Sequence, residues 1–188
     1  MNSISEKIKT LCFDKNISKD ELSTLSGLTP IQIAMIENNE KIPSLASLIK
    51  ISRALGVRLG TFLDDSEHIG PVIHTNNDKK SPVTFSSQLS NTNSHMDFVS
   101  LAANKATRHM EPFLIDVHKN DEAKKVSSSH EGEEFIYVLS GTINIRYGKK
   151  EYTLHQGESI YYDSIIDHLV YTEIKESAQI LAVVYTPL

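Results

Sequence analysis

The spacing of hydrophobic residues changes once along this chain, and that change limits the possible folds more than any other feature. In about the first sixty residues, apolar side chains recur every three or four positions, as at Ile4, Ile8 and Leu11, which is the spacing of amphipathic helices. From about Val83 the pattern alternates with a period of two, as in residues 135–139, and is typical of strands. Helices followed by strands predict an α+β protein of two domains.

Start and stop signals divide the first part into helices. Ser18 followed by Glu21 matches a capping box, and Gly27 provides the positive φ that ends many helices. Thr29 and Pro30 form the next start signal. We therefore predict a five-helix bundle, with helices over about residues 5–14, from Ser18 to Gly27, from Thr29 onward, from Ser44 to Gly56 and over about residues 58–63.

A helix, a glycine turn and a second short helix form the pattern of a helix-turn-helix. The chain resembles the phage-repressor-like (XRE/Cro) family over about sixty residues, at Glu21-Leu22, Ser26-Gly27-Leu28-Thr29, Ile36-Glu37-Asn38, Pro43-Ser44-Leu45, Leu48, Ile51 and Ala54-Leu55-Gly56-Val57. The resemblance implies that the third helix enters the major groove of DNA. Carried over by position, the DNA-binding residues are Thr29, Pro30, Ile31, Gln32, Met35 and Asn38, together with Lys19, which stands where the second helix of the family meets a phosphate.

The predicted reading helix is unusually apolar. Base edges are read by hydrogen-bonding side chains, and among its groove-facing residues only Gln32 and Asn38 are of that type, whereas Ile31 and Met35 can touch only thymine methyl groups. Residues 1–66 contain equal numbers of acidic and basic residues, so the rest of the chain accounts for the net charge of −5. Any DNA binding must therefore depend on one local face of the domain and not on an overall positive charge. The alternative is a bundle that has become a structural or dimerising element.

The second part of the chain reads as a connector followed by short strands. Residues 67–82 lose periodicity, and turn-forming and charged residues dominate them, as expected of a linker. We therefore predict a DNA-binding domain over residues 1–66, a linker over 67–82 and a second domain over 83–188. Many short strands at a spacing of about 8–12 residues imply a sandwich or a barrel.

Two motifs narrow this choice. His130, Glu134 and Gly141 are in register with the first cupin motif, His-x-His-x3-Glu-x6-Gly, and the segment from Gly157 to His168 resembles the second. The chain thus resembles the cupin family over about residues 83–188, which implies a closed antiparallel β-barrel of the jelly-roll type. It departs from the family at two positions, because Ser128 replaces the first histidine and Asp163 replaces the usual proline.

The cupin resemblance implies a metal site. In that family, His130, Glu134 and His168 would converge inside the barrel. Two imidazoles and one carboxylate form a facial triad suited to non-haem Fe(II), with Mn, Ni or Zn as other occupants of a one-metal site. The alternative is a metal-free, hydrogen-bonded polar cluster in a ligand pocket. Weaker candidates for pocket residues are His109, Ser128, Tyr137 and Tyr162.

Together the two resemblances imply a homodimeric transcriptional regulator that binds DNA and senses a small-molecule effector in its cupin domain. The architecture, with serine at the first cupin histidine, also resembles the mononuclear iron epoxidases that form fosfomycin from hydroxypropylphosphonate. Residues 96–101 lack the tyrosine and arginine expected for a phosphonate pocket, and Ser127 stands where an amide is expected. A third interpretation is a metal- or metabolite-binding protein that has lost DNA contact.

Composition limits the cellular setting. Cys12 is the only cysteine, which excludes an internal disulfide framework and a four-cysteine zinc site. No apolar run approaches the roughly 18 residues of a membrane span, and the first residues do not resemble a signal peptide. We expect a cytoplasmic protein without a membrane partner.

Overall fold

A computed structural model describes residues 3–63, 70–75, 83–84, 96–105, 108–119, 127–173 and 177–186. Within these residues, five helices precede nine strands. The helices are α1 (Ile4–Asp14), α2 (Lys19–Ser26), α3 (Pro30–Glu37), α4 (Leu45–Ala54) and α5 (Gly60–Leu63). The strands are β1 (Val83–Thr84), β2 (Met96–Ser100), β3 (Met110–Val117), β4 (Glu133–Ser140), β5 (Thr142–Tyr147), β6 (Lys150–His155), β7 (Ser159–Asp163), β8 (His168–Tyr171) and β9 (Ala178–Tyr185).

This order confirms the predicted helical half followed by a β half. The bounds of the proposed linker stay a prediction, because of residues 67–82 only 70–75 are described. No helix in the described part of the chain combines the length and the apolarity needed to cross a membrane.

The helices begin and end at the predicted signals. Ser18 and Thr29 cap α2 and α3, and in each case the side chain three residues later completes a capping box. Ser44 caps α4, and Gly27 ends α2 with a φ of 67°. Caps pair backbone groups that have no partner inside the helix, so these boundaries are set by nearby residues. The bundle packs around fully buried side chains such as Leu22 and Leu48.

The β half consists of two antiparallel sheets. Their strand orders are β1-β2-β3-β9-β4-β7 and β6-β5-β8. Among the described residues no strand pairing joins the two sheets into a ring, so the predicted closed barrel is corrected to a pair of sheets. The alternating pattern of each strand determines which face is buried, but it does not determine whether the outer strands of two sheets pair.

One row of inward-facing residues crosses the larger sheet at the level of the predicted metal ligands. The register pairs Glu111 with Val184, Val184 with Glu134, and Glu134 with Tyr162. All four are buried. Since side chains alternate along a strand, Tyr137 lies on the opposite face of β4 from Glu134, where it is 38% exposed.

Candidate functional site

Three buried side chains converge between the two sheets. His130 lies just before β4, Glu134 is the second residue of β4, and His168 is the first residue of β8. One ligand atom from each lies within 4.8 Å of the other two. His130 Nε2 is 2.7 Å from Glu134 Oε1, and His168 Nε2 is 3.6 Å from the same oxygen. The structure therefore brings together the three residues that the cupin resemblance implied.

Backbone carbonyl groups orient both imidazole rings. His130 Nδ1 is 2.9 Å from the Glu131 carbonyl oxygen, and His168 Nδ1 is 2.9 Å from the Ile166 carbonyl oxygen. A carbonyl can only accept, so each Nδ1 carries the hydrogen and donates it. In a neutral ring this leaves the Nε2 lone pair facing the carboxylate. Two acceptors at 2.7 Å repel unless a proton or a cation lies between them, so the donor set fits a divalent metal ion.

Tyr162 completes the cluster on the far side of the carboxylate. Its hydroxyl donates to Glu134 Oε2 at 2.6 Å, and its ring centroid lies 5.1 Å from that of His168. One carboxylate oxygen is thereby occupied, and Oε1 stays directed at the two imidazoles. Such a contact fixes the orientation of a metal-ligating carboxylate.

The charges within the cluster reinforce one another. Burial opposes ionisation of Glu134, but the close contacts with the His130 and His168 rings outweigh it, so the pKa of Glu134 lies well below its usual range. Burial lowers the pKa of His168, but the Glu134 carboxylate reverses this effect and the pKa is raised. Burial and then the charge of Glu134 raise the pKa of Tyr162 well above its usual value. Tyr162 therefore stays a neutral donor beside an ionised carboxylate.

Of the other predicted pocket residues, Ser128 lies beside the cluster, whereas Tyr137 and His109 lie at the surface. The backbone of Ser128 pairs with His168 in both directions, at 2.8 and 2.9 Å. Residues directly opposite in an antiparallel pair point to the same side, so the Ser128 side chain lies on the side of His168. Tyr137 is on the outer face of β4, and His109 is exposed just before β3. These last two do not join the cluster.

A buried ion pair was missed by the sequence reasoning. Arg108 Nε donates to Glu111 Oε2 at 2.7 Å, and both side chains are almost completely buried. The available signal was the position of Glu111, which alternates with Phe113 and Ile115 on the buried face of β3. An acidic residue at a core position requires a partner.

The outer face of α3 is exposed, and its polar residues have intramolecular partners. Ile31 is 73% exposed, whereas Met35 is half-buried. Gln32 Oε1 accepts from the Thr29 backbone at 2.9 Å, and Asn38 Nδ2 donates to Glu40 Oε1 at 3.2 Å.

The predicted phosphate contact is also engaged. Lys19 Nζ lies 2.7 Å from Glu37 Oε2. This contact raises the pKa of Lys19, first through the hydrogen bond and then through the charge of Glu37. Lys19 therefore reaches the surface with its charge partly balanced by a side chain of α3.

Comparison with known families divides the chain as the structure does. Residues 9–62 match the helix-turn-helix family HTH_3, and residues 113–184 match the cupin domain family Cupin_2.

Two curated proteins are similar along most of the chain. The (S)-2-hydroxypropylphosphonic acid epoxidase of Streptomyces wedmorensis is 29% identical over 180 residues, which cover 86% of this chain and 85% of that protein. The HTH-type transcriptional regulator SutR of Escherichia coli K12 is 21% identical over 170 residues, which cover 88% of this chain and 85% of that protein.

The fold is shared with solved structures over nearly the full length. An HTH_3 family transcriptional regulator from Vibrio cholerae superposes with a TM-score of 0.72 at 24% identity, covering 98% of this chain and 96% of that chain. The iron(II) form of HppE superposes with a TM-score of 0.52 at 23% identity, covering 97% of this chain and 98% of that chain. The order of a helical half followed by a β half is therefore common to this chain and both solved structures.

Proposed function

We propose that this chain, which joins a helix-turn-helix domain of the XRE type to a cupin domain, is a DNA-binding transcriptional regulator. In this proposal the cupin domain binds a divalent metal ion and a small-molecule effector. The observation that supports it most directly is the α2–turn–α3 unit, which has capped ends, a left-handed glycine at the turn and an exposed outer face on α3.

The α3 face favours a contact based on shape and on thymine methyl groups. The capping box holds Thr29 and Gln32 against each other at the start of α3, so this end of the helix is ordered before DNA arrives. Ile31 lies beside them with most of its surface exposed. An apolar side chain in the major groove reads the C5-methyl group of thymine. We therefore expect an operator in which thymines lie opposite Ile31.

Replacing Ile31 with aspartate is expected to weaken DNA binding at least about tenfold, because a carboxylate is repelled by phosphates and cannot pack on a methyl group. The fold should survive, since the side chain is exposed. Phe13→Asp makes the same change at a residue of α1 that is 83% exposed and serves as the matched control. The measurement is fluorescence anisotropy on the operator fragment. Equal affinities for both variants would place the DNA contact elsewhere.

For the metal, His130, Glu134 and His168 would be the protein ligands, and Tyr162 would orient the carboxylate. Fe(II) is the favoured ion, since this donor set is typical of non-haem iron and the structural relative HppE has an iron(II) form. When bound, the ion supplies open coordination positions for oxygen or nitrogen atoms of an effector.

We infer that the functional unit is a homodimer, because a helix-turn-helix reads paired half-sites through two-fold symmetry. The outer face of the larger sheet supports this inference. The register aligns its apolar side chains in two neighbouring rows, which are Pro112–Val183–Phe135–Tyr161 and Leu114–Leu181–Tyr137. The strands β3, β9 and β4, of eight residues each, are about 26 Å long and the five-residue β7 is about 16 Å long, so at a spacing of about 4.8 Å they present roughly 460 Å² of projected surface. A specific interface buries about 800 Å² of accessible surface per partner, and this face would supply the apolar centre of it.

Tyr137→Asp is expected to convert the dimer to a monomer, because it introduces a charge into the centre of this apolar face. Tyr152→Asp is the matched control, since Tyr152 is 40% exposed on the smaller sheet and Tyr137 is 38% exposed on the larger one. Sedimentation velocity at micromolar concentration distinguishes the two states. A Tyr137→Asp protein that remains dimeric would exclude this face as the interface.

The proposed function as a whole is tested by footprinting the protein on its own upstream DNA and on a genomic library, with and without Fe(II) or Mn(II). A protected, two-fold symmetric site is the expected result. The absence of a specific complex on every fragment would refute the regulator.

A second function has a specific observation in its favour. The 29% identity to the epoxidase accompanies a buried two-histidine, one-carboxylate cluster, so oxidation chemistry at a bound iron is a coherent alternative. The inward-facing residues of β2, however, are Phe98 and Ser100, and neither can bind a phosphonate as tyrosine and arginine would. Incubation of the Fe(II)-loaded protein with (S)-2-hydroxypropylphosphonate and either dioxygen plus reductant or hydrogen peroxide, followed by phosphorus NMR, decides. Formation of the epoxide would favour the enzyme.

A further inference from the structure

The helical half contacts the β half next to the candidate metal ligands. Arg53, in the last turn of α4, forms an ion pair with Glu131. Glu131 directly follows His130 in the sequence. One exposed ion pair therefore joins a helix of the DNA-binding half to the segment that holds a metal ligand.

Glu131 connects the two sites through different parts of the same residue. Its carboxylate pairs with Arg53, and its carbonyl oxygen accepts from His130 Nδ1 at 2.9 Å. The carbonyl orients the imidazole ring, so a shift of the ring displaces the backbone of Glu131. Any such displacement is transmitted to Arg53.

The segment around Glu131 has little room to absorb a displacement locally. The His130 backbone N–H donates to Ser164 at 3.0 Å, and Ser164 donates back to Gly132 at 2.9 Å. Gly132 has a φ of 104°, and a Cβ placed there would lie 2.0 Å from the Tyr185 carbonyl oxygen. The segment is held on both sides, so residues 130–132 can be displaced only together, and the Glu131 side chain moves with them.

The helical half makes a second contact with the β half, at the buried ion pair between Arg108 and Glu111. The helix α5 begins at Gly60, where a Cβ would lie 2.8 Å from Arg108 Nη2 and 3.0 Å from Glu111 Oε1. Arg58 also donates to the Arg108 carbonyl oxygen at 3.4 Å. Glu111 shares its row of the sheet with Glu134. This contact is close and mostly buried, so we infer that it stays in place when the contact at Arg53 changes.

We propose that metal occupancy of the His130–Glu134–His168 cluster changes the DNA affinity of the helical half through the Glu131–Arg53 ion pair. This inference rests on the proposed regulator function. A cation held by the three ligands would separate His130 Nε2 from Glu134 Oε1, which lie 2.7 Å apart, and would displace the His130 ring and with it the Glu131 backbone. Because α4 packs against α2, a shift of Arg53 moves the helix that positions α3. Coupling requires the two arrangements to differ in their affinity for the metal, and in this proposal the position of the His130 ring supplies that difference.

The test measures the DNA affinity of the full-length protein with and without Mn(II), on the fragment identified by footprinting. In the unaltered protein we expect Mn(II) to change the dissociation constant about fivefold, the effect that one exposed ion pair supports. In Arg53→Glu and in Glu131→Arg the change should fall below about twofold, whereas the double variant with the two charges exchanged should recover it. Metal affinity and metal-free DNA affinity should stay within about twofold in all variants.

Arg146→Glu is the matched control, because Arg146 forms an exposed ion pair with Glu151 on the smaller sheet. It should retain the full response to Mn(II). The inference is overturned if either single variant retains the full response, or if the unaltered protein binds DNA and Mn(II) without any coupling. A protein that binds no DNA at all contradicts the regulator function itself, so the two failures are distinguishable.

Discussion

Replacement of Gly132 with alanine is expected to lower the free energy of unfolding by about 3 kcal/mol or more. Gly132 has a φ of 104°, and a Cβ there would lie 2.0 Å from the Tyr185 carbonyl oxygen and 3.0 Å from its carbon. The obstructing atoms belong to the backbone of β9, which is paired along its length with β3 and β4. The methyl group can be accommodated only if the strand moves. Urea unfolding followed by circular dichroism measures the effect.

The variant Gly157→Ala separates the cost of a positive φ from the cost of the clash with the Tyr185 backbone. Gly157 also has a positive φ, of 88°, but a Cβ there would meet nothing within 4 Å. This variant should lose only the conformational term, about 1–2 kcal/mol. If the two alanine variants lose the same stability, the close approach to Tyr185 is not the cause. Because Gly132 lies two residues after His130, its replacement should also weaken metal binding, whereas Gly157→Ala should not.

Replacement of His130 with alanine is expected to weaken binding of Fe(II) or Mn(II) by more than about 100-fold. Removal of a residue that only orients a metal ligand typically weakens binding 10- to 100-fold, and loss of one of three protein ligands should exceed this range. His155→Ala is the control, since His155 is exposed at the end of β6. Anaerobic titration calorimetry on chelator-treated protein provides the two affinities.

His130→Ala also removes one partner of a buried pair, which can lower stability by about 3–5 kcal/mol. His130→Gln guards against an unfolded sample, because its amide can still donate to Glu134 but is a poor metal ligand. If a folded His130→Gln protein still bound one equivalent of metal, the metal would have to bind outside this cluster. The cluster would then be a metal-free, hydrogen-bonded polar group.

Much of the helical half follows from short-range signals in the sequence. The caps Ser18, Thr29 and Ser44 each act on backbone groups three residues away, so a pattern of a few residues is enough to place the start of a helix. The first helix, predicted from about residue 5, begins at Ile4 because Ser3 forms a further capping box with Glu6.

The candidate site was predicted unevenly, for a physical reason. His130, Glu134 and His168 were identified by the spacing of the cupin motifs, whereas Tyr162 was named only as a weaker candidate for the pocket. The carbonyl groups of Glu131 and Ile166 could not be predicted, because every residue has a carbonyl and only the backbone path decides where it points. Tyr137 was assigned to the pocket because an alternating pattern does not show which face of a strand lies inward. That becomes clear only once one buried residue of the strand is located.

The ion pair between Lys19 and Glu37 has a consequence for how such a protein would find its operator. Non-specific attraction to DNA grows with the number of cations that neutralise phosphates and release counterions. Here Lys19, which is expected to meet a DNA phosphate, is paired with Glu37 of the same domain. Residues 1–66 also have no net charge. The protein would therefore spend little time on random DNA, and its complex with the operator would depend on close fit and respond only weakly to the ionic strength of the cell.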